Sequence, residues 1–337
     1  MQHRVIKDRK GFTMDYWNGL KIAEEFYNEY GRAMIEEKFP EYKDKIAVGL
    51  AGQGSECFGY DDVVSRDHDY APGFCLWVPE FIEKKIGDEL QKAYDDLPVN
   101  DFLIKHKEEI GMEPGSSLMT GARKHRVGVH SIEEFYTERT GIAGFPEKTE
   151  DWIETPMMYL AEAVNGKVFT DPLGKFTAIR EAWAGFYPDS LIKKKVAANC
   201  GMAGKTGQFN YERSIKRGDI QAAHDCCEEF IHKASAAIFL LNRTYMPYYK
   251  WRARAMEDFT ICTESVKLLS KLTQLNESKH DKKTELIEKI SMDIIKELTS
   301  RTWSWGHSDY LLDHAKNIMT IIPDREIASW NVFVGED

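Results

Sequence analysis

The stretch Gly54–Asp69, GSECFGYDDVVSRDHD, governs the reading of the whole chain. As a pattern it is G-S-x3-G-x5-S-x-D-x-D, a small-residue turn followed at fixed distance by two carboxylates. The apolar run before it, Ile46–Ala51 (IAVGLA), reads as a short buried strand, so Gly54-Ser55 falls in the turn that leaves it. Asp67 and Asp69 stand at i and i+2. On an extended Arg66–Tyr70 the two-residue period puts both carboxylates on one face, roughly 6 to 7 Å apart at the backbone, with side chains that can converge on one ion.

Two carboxylates that close repel each other by about 3 kcal/mol at roughly 5 Å and an effective dielectric near 20. A hard divalent cation offsets that repulsion, and Mg²⁺ in particular takes one or two carboxylates together with waters and phosphate oxygens. The Gly-Ser turn supplies the complementary half. Glycine lets a backbone approach a ligand closely, and main-chain N–H groups at a turn bind phosphate without a basic side chain. A phosphate cradle beside metal-binding carboxylates describes a site for phosphoryl transfer.

The rest of the chain sets bounds on that reading. At 337 residues it is long enough for two domains, and 42% hydrophobic with 12% aromatic residues is the composition of a globular protein. The formal net charge of -10 argues against bulk nucleic acid as a partner, because many phosphate contacts require a basic surface. A small-molecule or protein acceptor is expected instead. The first residues, MQHRVIKDRK, have no apolar core of a signal peptide, and no apolar run reaches the roughly 18 residues of a membrane span, so a cytoplasmic location and no membrane partner are expected. The six cysteines show no CxxC spacing and read as reduced thiols.

Taken in order, Tyr16–Lys38 carries apolar residues at helical spacing and stops at Pro40. Phe74–Val78 reads as a second strand after the Pro72-Gly73 bend, Pro79–Leu97 as an amphipathic helix, and Asn100–Lys124 mainly as loop with a short helix. Arg126–Ser131 is a third strand, and Ser131 with Glu134 has the form of a capping box opening a helix. From Asp151 onward nearly everything has helical period, most clearly Ile220–Leu241, with further helices at Phe176–Tyr187, Glu257–Leu275, Thr284–Leu298 and Asp309–Ile321. The expected class is α+β: a small mixed-sheet domain over residues 1–145, followed by an all-helical domain over 146–337, with the boundary in the Gly141–Glu150 segment.

Gly54, Ser55, Gly59, Ser65, Asp67 and Asp69 together resemble the signature of the DNA polymerase β-type nucleotidyltransferases, a Gly-Ser turn followed by Asp-x-Asp on a strand. The wording DHDYAPGF, with LNRTYMPYYKW at Leu241–Trp251, further resembles an uncharacterised bacterial family of nucleotidyltransferase-like proteins with a helical C-terminal domain. The resemblance implies that Gly54, Ser55 and Ser65 hold the triphosphate of an NTP, with ATP the expected nucleotide. It also implies that Asp67 and Asp69 are catalytic and bind Mg²⁺ or Mn²⁺. The implied enzyme moves a nucleoside monophosphate to a hydroxyl of a small molecule or protein and releases pyrophosphate. Arg243 and Lys250, from a basic cluster with Arg213, Lys216 and Arg217, are expected to reach the triphosphate.

The sequence departs from that signature in two places. Arg66 separates Ser65 from Asp67, and the third strand, where a third carboxylate is usual, offers only Val127, Gly128, Val129 and His130. Glu133 and Asp171 are the substitutes in reach, Asp225, Glu228 and Glu229 are candidate bases from the helices, and Glu134 is taken by its cap. Without a third acid the alternatives are a nucleotide-binding or regulatory protein of the same fold, or a toxin-like transferase acting on tRNA. Plainer readings stand beside the functional ones. Asp61-Asp62 reads as exposed loop charge, His68 as a packed or hydrogen-bonded histidine, His130 as a strand-end polar residue or one that reaches the site, and Gly204-Lys205-Thr206 as an inter-helix loop, since Asn199 stands where a P-loop needs glycine. Tyr245, Tyr248, Tyr249 and Trp251 read as core packing at a helix end or as a stacking surface.

Overall fold

The computed structural model describes residues 6–7, 13–14, 16–62, 65, 71–111 and 126–336. They form two compact units, one comprising Met1–Glu147 with Glu162–Gly185 and the other Lys148–Ala161 with Phe186–Asp337. The architecture is α+β, a small mixed sheet with its helices in one unit and helices alone in the other.

In the first unit, strands β1 (Ile6–Lys7) and β2 (Thr13–Met14) pair antiparallel. Helix α1 (Gly19–Phe26) continues through a π-helical turn, Tyr27–Gly31, into α2 (Arg32–Lys38). There follow β3 (Ala47–Leu50), β4 (Cys75–Val78), α3 (Glu80–Asp95), α4 (Val99–Lys105), α5 (Lys107–Ile110), β5 (Gly128–Ser131) and α6 (Ile132–Thr140). The expected loop beyond Asn100 thus begins with two short helices. Ser131 caps α6, its hydroxyl accepting from the Glu134 N–H at 3.0 Å.

The sheet has the order β5-β4-β3-β6, and its fourth strand, β6 (Lys167–Thr170), comes from beyond the boundary expected at residue 146. β3 is antiparallel to both β4 and β6, while β4 is parallel to β5. β6 was missed in the sequence because four residues, all half-buried on an edge, give neither a long apolar run nor a clear alternation. The helix after it, α9 (Lys175–Ala184), also belongs to this unit. The chain therefore leaves the first unit after Glu147, returns at Glu162 inside helix α8 (Met157–Val164), and leaves again after Gly185, where one crossing had been expected.

Both central strands are buried on both faces, and the alternation along β4 sends aromatics to each. Trp77 stacks on Phe176 of α9, with ring centroids 3.9 Å apart, and meets Phe135 of α6 edge-on. Phe74, on the other face, meets Phe26, Tyr27 and Tyr94.

The second unit contains α7 (Thr149–Ile153), α10 (Asp189–Ala203), α11 (Glu212–Lys216), α12 (Ile220–Leu241), α13 (Tyr249–Ala255), α14 (Thr263–Leu272), α15 (His280–Ser300), α16 (Leu311–Thr320) and α17 (Arg325–Ser329). Gly204–Tyr211, expected as a loop, is a π-helical continuation of α10, with the Thr206 hydroxyl donating to the Met202 carbonyl at 2.8 Å. α10 packs on α12 and α16 and is buried all round from Lys194 to Gly201, the mark of a central helix, while the Phe230 ring of α12 lies against Gly207. Among the described residues no helix is long and apolar enough to cross a membrane.

Candidate functional site

The strand directions decide which residues can meet. β3 points its C-terminal end into the Gly52–Ser55 turn. β4 runs antiparallel to it, with Gly49 opposite Cys75, so the N-terminal end of β4 lies at the same edge of the sheet. β5 begins there too, because Gly128 pairs with Cys75, and so does β6, because Lys167 pairs with Leu50.

The turn at that edge is built from glycines for a steric reason. Gly52 has φ +104° and Gly54 φ +121°, conformations that L-residues with a Cβ rarely adopt. A Cβ on Gly52 would lie 2.7 Å from an Arg139 guanidinium nitrogen, and one on Gly54 would lie 2.7 Å from an Arg126 nitrogen. Both arginines therefore lie directly against the main chain of the turn. Among the described residues, the N–H groups of Gln53, Gly54 and Ser55 donate to no acceptor. Ser55 is buried, and its carbonyl accepts from the N–H groups of Phe58 and Tyr60, closing the 3-10 turn Glu56–Phe58 that ends at left-handed Gly59.

The two arginines are held differently. Arg139, on α6, lies over the Phe135 ring at 3.9 Å and donates to the Phe135 carbonyl at 2.8 Å; its Nε–H is buried with no acceptor among the described residues. Arg126, just before β5, donates to the Gln53 carbonyl at 3.4 Å and stands 3.7 Å from the buried Glu56 carboxylate. Neither was singled out in the sequence, since both lie far downstream of the turn; Arg126 does end the basic run Arg123–Arg126, but nothing local ties that run to the turn. The only local clue was the turn glycines, which mark a close approach without saying by what.

A second set of contacts fixes the turn from the returning segment. The Asn165 amide grips Gly52 on both sides, accepting from its N–H at 2.7 Å and donating to its carbonyl at 2.8 Å. One Arg180 nitrogen in turn donates to the carbonyls of Val164, Asn165 and Gly166 at 2.7, 3.0 and 3.2 Å. Glu162 stands one helical turn before Asn165. Burial raises its carboxyl above the ordinary range, and the nearby charge of Arg139 opposes that rise.

The expected site residues fall as follows. Gly54 and Ser55 form the turn. Ser65 closes a second, local turn with Asp62: its N–H donates to the Asp62 carboxylate at 3.0 Å and its hydroxyl to the Asp62 carbonyl at 2.8 Å. Asp67, Asp69 and His68 lie outside the described residues. Asp61, expected as exposed loop charge, is buried, because its carboxylate accepts from the first N–H of α1, at Gly19, at 2.8 Å.

Glu133 and Asp171 stand at the opposite end of the sheet from the Gly-Ser turn. Glu133 follows the C-terminal end of β5, and accepts from the Glu80 N–H at the start of α3 and from Lys175. Burial pushes its carboxyl up, but those hydrogen bonds outweigh burial and hold it below the ordinary range. Asp171 follows the C-terminal end of β6 and accepts from the N–H groups of Gly174 and Thr177 where α9 starts. Neither completes a metal site beside the turn. Both are caps, the more common use of an acid at a helix N-terminus.

In the helical unit, Arg243 and Lys250 are exposed, and Arg243, at φ +51°, lies over the Phe186 ring at 5.4 Å. Tyr245 is buried against Phe186 and Tyr187, whereas Tyr248 and Tyr249 are exposed. Asp225 accepts from Gln221, and Glu229 pairs with Lys233. Among the described residues no group of three His, Cys, Asp or Glu side chains could hold a metal ion.

A domain of unknown function, DUF4037, matches residues 152–252. That stretch covers under a third of the chain and includes β6, Asn165, Arg180, Arg243 and Lys250, but neither the Gly-Ser turn nor Asp67 and Asp69. No curated protein and no solved structure matches the chain.

Proposed function

We propose that the chain is a nucleotidyltransferase of the DNA polymerase β type, moving a nucleoside monophosphate from an NTP to a hydroxyl of a small-molecule or protein acceptor. The observation that carries the reading is the Gly52–Ser55 turn with Arg126 and Arg139 against it. Undonated main-chain N–H groups and two guanidinium groups at one glycine turn are suited to a polyphosphate. β4 starts at the same edge of the sheet, and Asp67 and Asp69 directly precede it in sequence.

The donor chemistry of Asp67 and Asp69 fits Mg²⁺ or Mn²⁺, two carboxylates to be completed by water and phosphate oxygens. When bound, the ion would supply positive charge at the reacting phosphate. The chain's own part is to bind and orient. The turn N–H groups and Arg139 hold the β- and γ-phosphates, and Asn165 with Arg180 keeps the turn in shape. The acceptor oxygen then forms its bond to the α-phosphorus as the bond to pyrophosphate breaks, and the acceptor proton passes to a base. Glu162, a half-buried carboxyl whose pKa lies above the ordinary range and that feels the charge of Arg139, is our candidate for that base.

A labelled-NTP assay tests this with Mg²⁺ or Mn²⁺ and a panel of acceptors. Wild type should bind NTP and transfer the label, and Asp67→Asn/Asp69→Asn should abolish transfer. No NTP binding by the wild type, or transfer undiminished in the double variant, would sink the reading. One observation favours a second reading, a nucleotide-binding regulator of the same fold: Glu133 and Asp171 serve as caps at the other end of the sheet. Tight NTP binding without transfer to any acceptor would establish it.

A further inference from the structure

The helical unit buries three lysines under one short strap. Lys194 and Lys195, neighbours on α10, are 0% and 1% exposed, and Lys233 on α12 is 7% exposed. The strap is the segment 331–336 that follows α17. The Lys194 ammonium donates to the carbonyls of Val332, at 3.0 Å, and Val334. Lys195 donates to the Gly335 carbonyl at 3.3 Å, and Lys233 stands 3.5 Å from the carboxylates of both Glu336, on the strap, and Glu229, on its own helix. Lys205 lies over the Phe333 ring at 5.2 Å.

A structural role would be to staple the strap down, but these residues are an odd choice for it. Among the described residues Lys194 pairs with no carboxylate. Two ammonium groups side by side on one helix repel each other, and a neutral donor such as glutamine would satisfy the same carbonyls without that repulsion. Burial, and then the charge of Lys195, lowers the Lys194 ammonium to about 8. The strap is only partly buried in return: Val332 and Phe333 are half-buried, with Phe333 against Gly201, while Val334 is 47% exposed and Asn331 and Glu336 are exposed. A thin, partly exposed segment thus covers three buried amines that face two carboxylates, Glu229 and Glu336.

We infer that Lys194, Lys195 and Lys233 form an anion site for a polyphosphate group, which the strap 331–336 occupies with its carbonyls and the Glu336 carboxylate until the ligand displaces it. Several amines converging from two helices match an ion carrying several negative charges better than they match one carboxylate. The inference is independent of the reading of the Gly-Ser turn.

The test uses the full chain in EDTA, with inorganic tripolyphosphate and, in a parallel arm, ATP. In wild type, tripolyphosphate should raise hydrogen exchange at the Val334 amide, which donates to the Asn331 carbonyl at 2.9 Å. Loosening the strap with Phe333→Ala/Glu336→Gln should tighten tripolyphosphate binding at least fivefold, and adding Lys194→Met should remove that gain. Binding to the Gly-Ser turn would be unaffected by Lys194→Met, which separates the two sites. If Lys194→Met does not fold, Lys233→Gln in the loosened background serves the same purpose. Equal responses to tripolyphosphate and ATP assign the polyphosphate as the recognised group. A folded loosened variant with wild-type affinity, binding that survives both lysine substitutions, or a response to ATP alone would overturn the inference.

Discussion

Gly54 carries two constraints at once, a φ of +121° and an Arg126 nitrogen 2.7 Å from where a Cβ would stand. Gly54→Ala should therefore lower stability by about 1–3 kcal/mol, seen as a lower urea midpoint, and weaken NTP binding by moving Arg126. Arg139→Gln removes a charge-assisted contact worth about 1.5–3 kcal/mol. It should weaken NTP binding at least tenfold by isothermal titration, and the loss of the Phe135 ring contact and carbonyl hydrogen bond should lower the stability read from the urea midpoint only modestly, by about 0.5–1.5 kcal/mol. Lys194 gives a prediction with a definite sign. Its ammonium titrates near 8 in the folded chain against an ordinary 10.5, so below pH 8 it is charged in both states and contributes no slope. Between pH 8 and 10.5 the unfolded chain holds the proton more than the folded chain does, so stability gained from this group rises with pH. Wild type should gain on Lys194→Met across that window, by at most on the order of 3 kcal/mol, when the two melting temperatures are compared at each pH.

Among the elements, the turn between α8 and β6 does the most for the site. Asn165→Ala leaves the Gly52 N–H and carbonyl without their partners, a loss on the order of 1–3 kcal/mol. Faster hydrogen exchange at Gly52 and weaker NTP binding are expected, and unchanged exchange would show that the turn holds its shape alone. How much of this was legible depended on length and on locality. α12 was readable to the residue because apolar residues recur at helical spacing along its twenty-two positions, passing into a stretch buried all round from Lys233 to Leu241, and Asp219 caps it. β3 and β4 were readable as apolar runs beside turn residues. β6 was not, and neither was the role of Arg126, Arg139 or Asn165, because each acts on a turn distant in sequence and no local pattern encodes the partner. Glu133 and Asp171 were visible as acids, but the end of the sheet on which they stand follows from strand direction, which a sequence does not state.

At the scale of the whole molecule the first unit is discontinuous, and its sheet is incomplete without the returning segment. A fragment ending at Glu147 lacks β6 and Asn165. It should show no cooperative thermal transition, and a cooperatively unfolding 1–147 fragment would contradict the topology. The three carbonyls gathered by Arg180 have a bearing on biosynthesis. The glycine turn is made early in translation, yet the guanidinium that fixes its support is made well over a hundred residues later, on the order of ten seconds at roughly 5–20 residues per second. Throughout that interval the β3 edge that β6 will cover has no strand beside it. The nascent chain is then most open to mispairing or to capture by a chaperone, and slowing the ribosome between Gly52 and Arg180 should lower the yield of folded protein more than slowing it after Gly185.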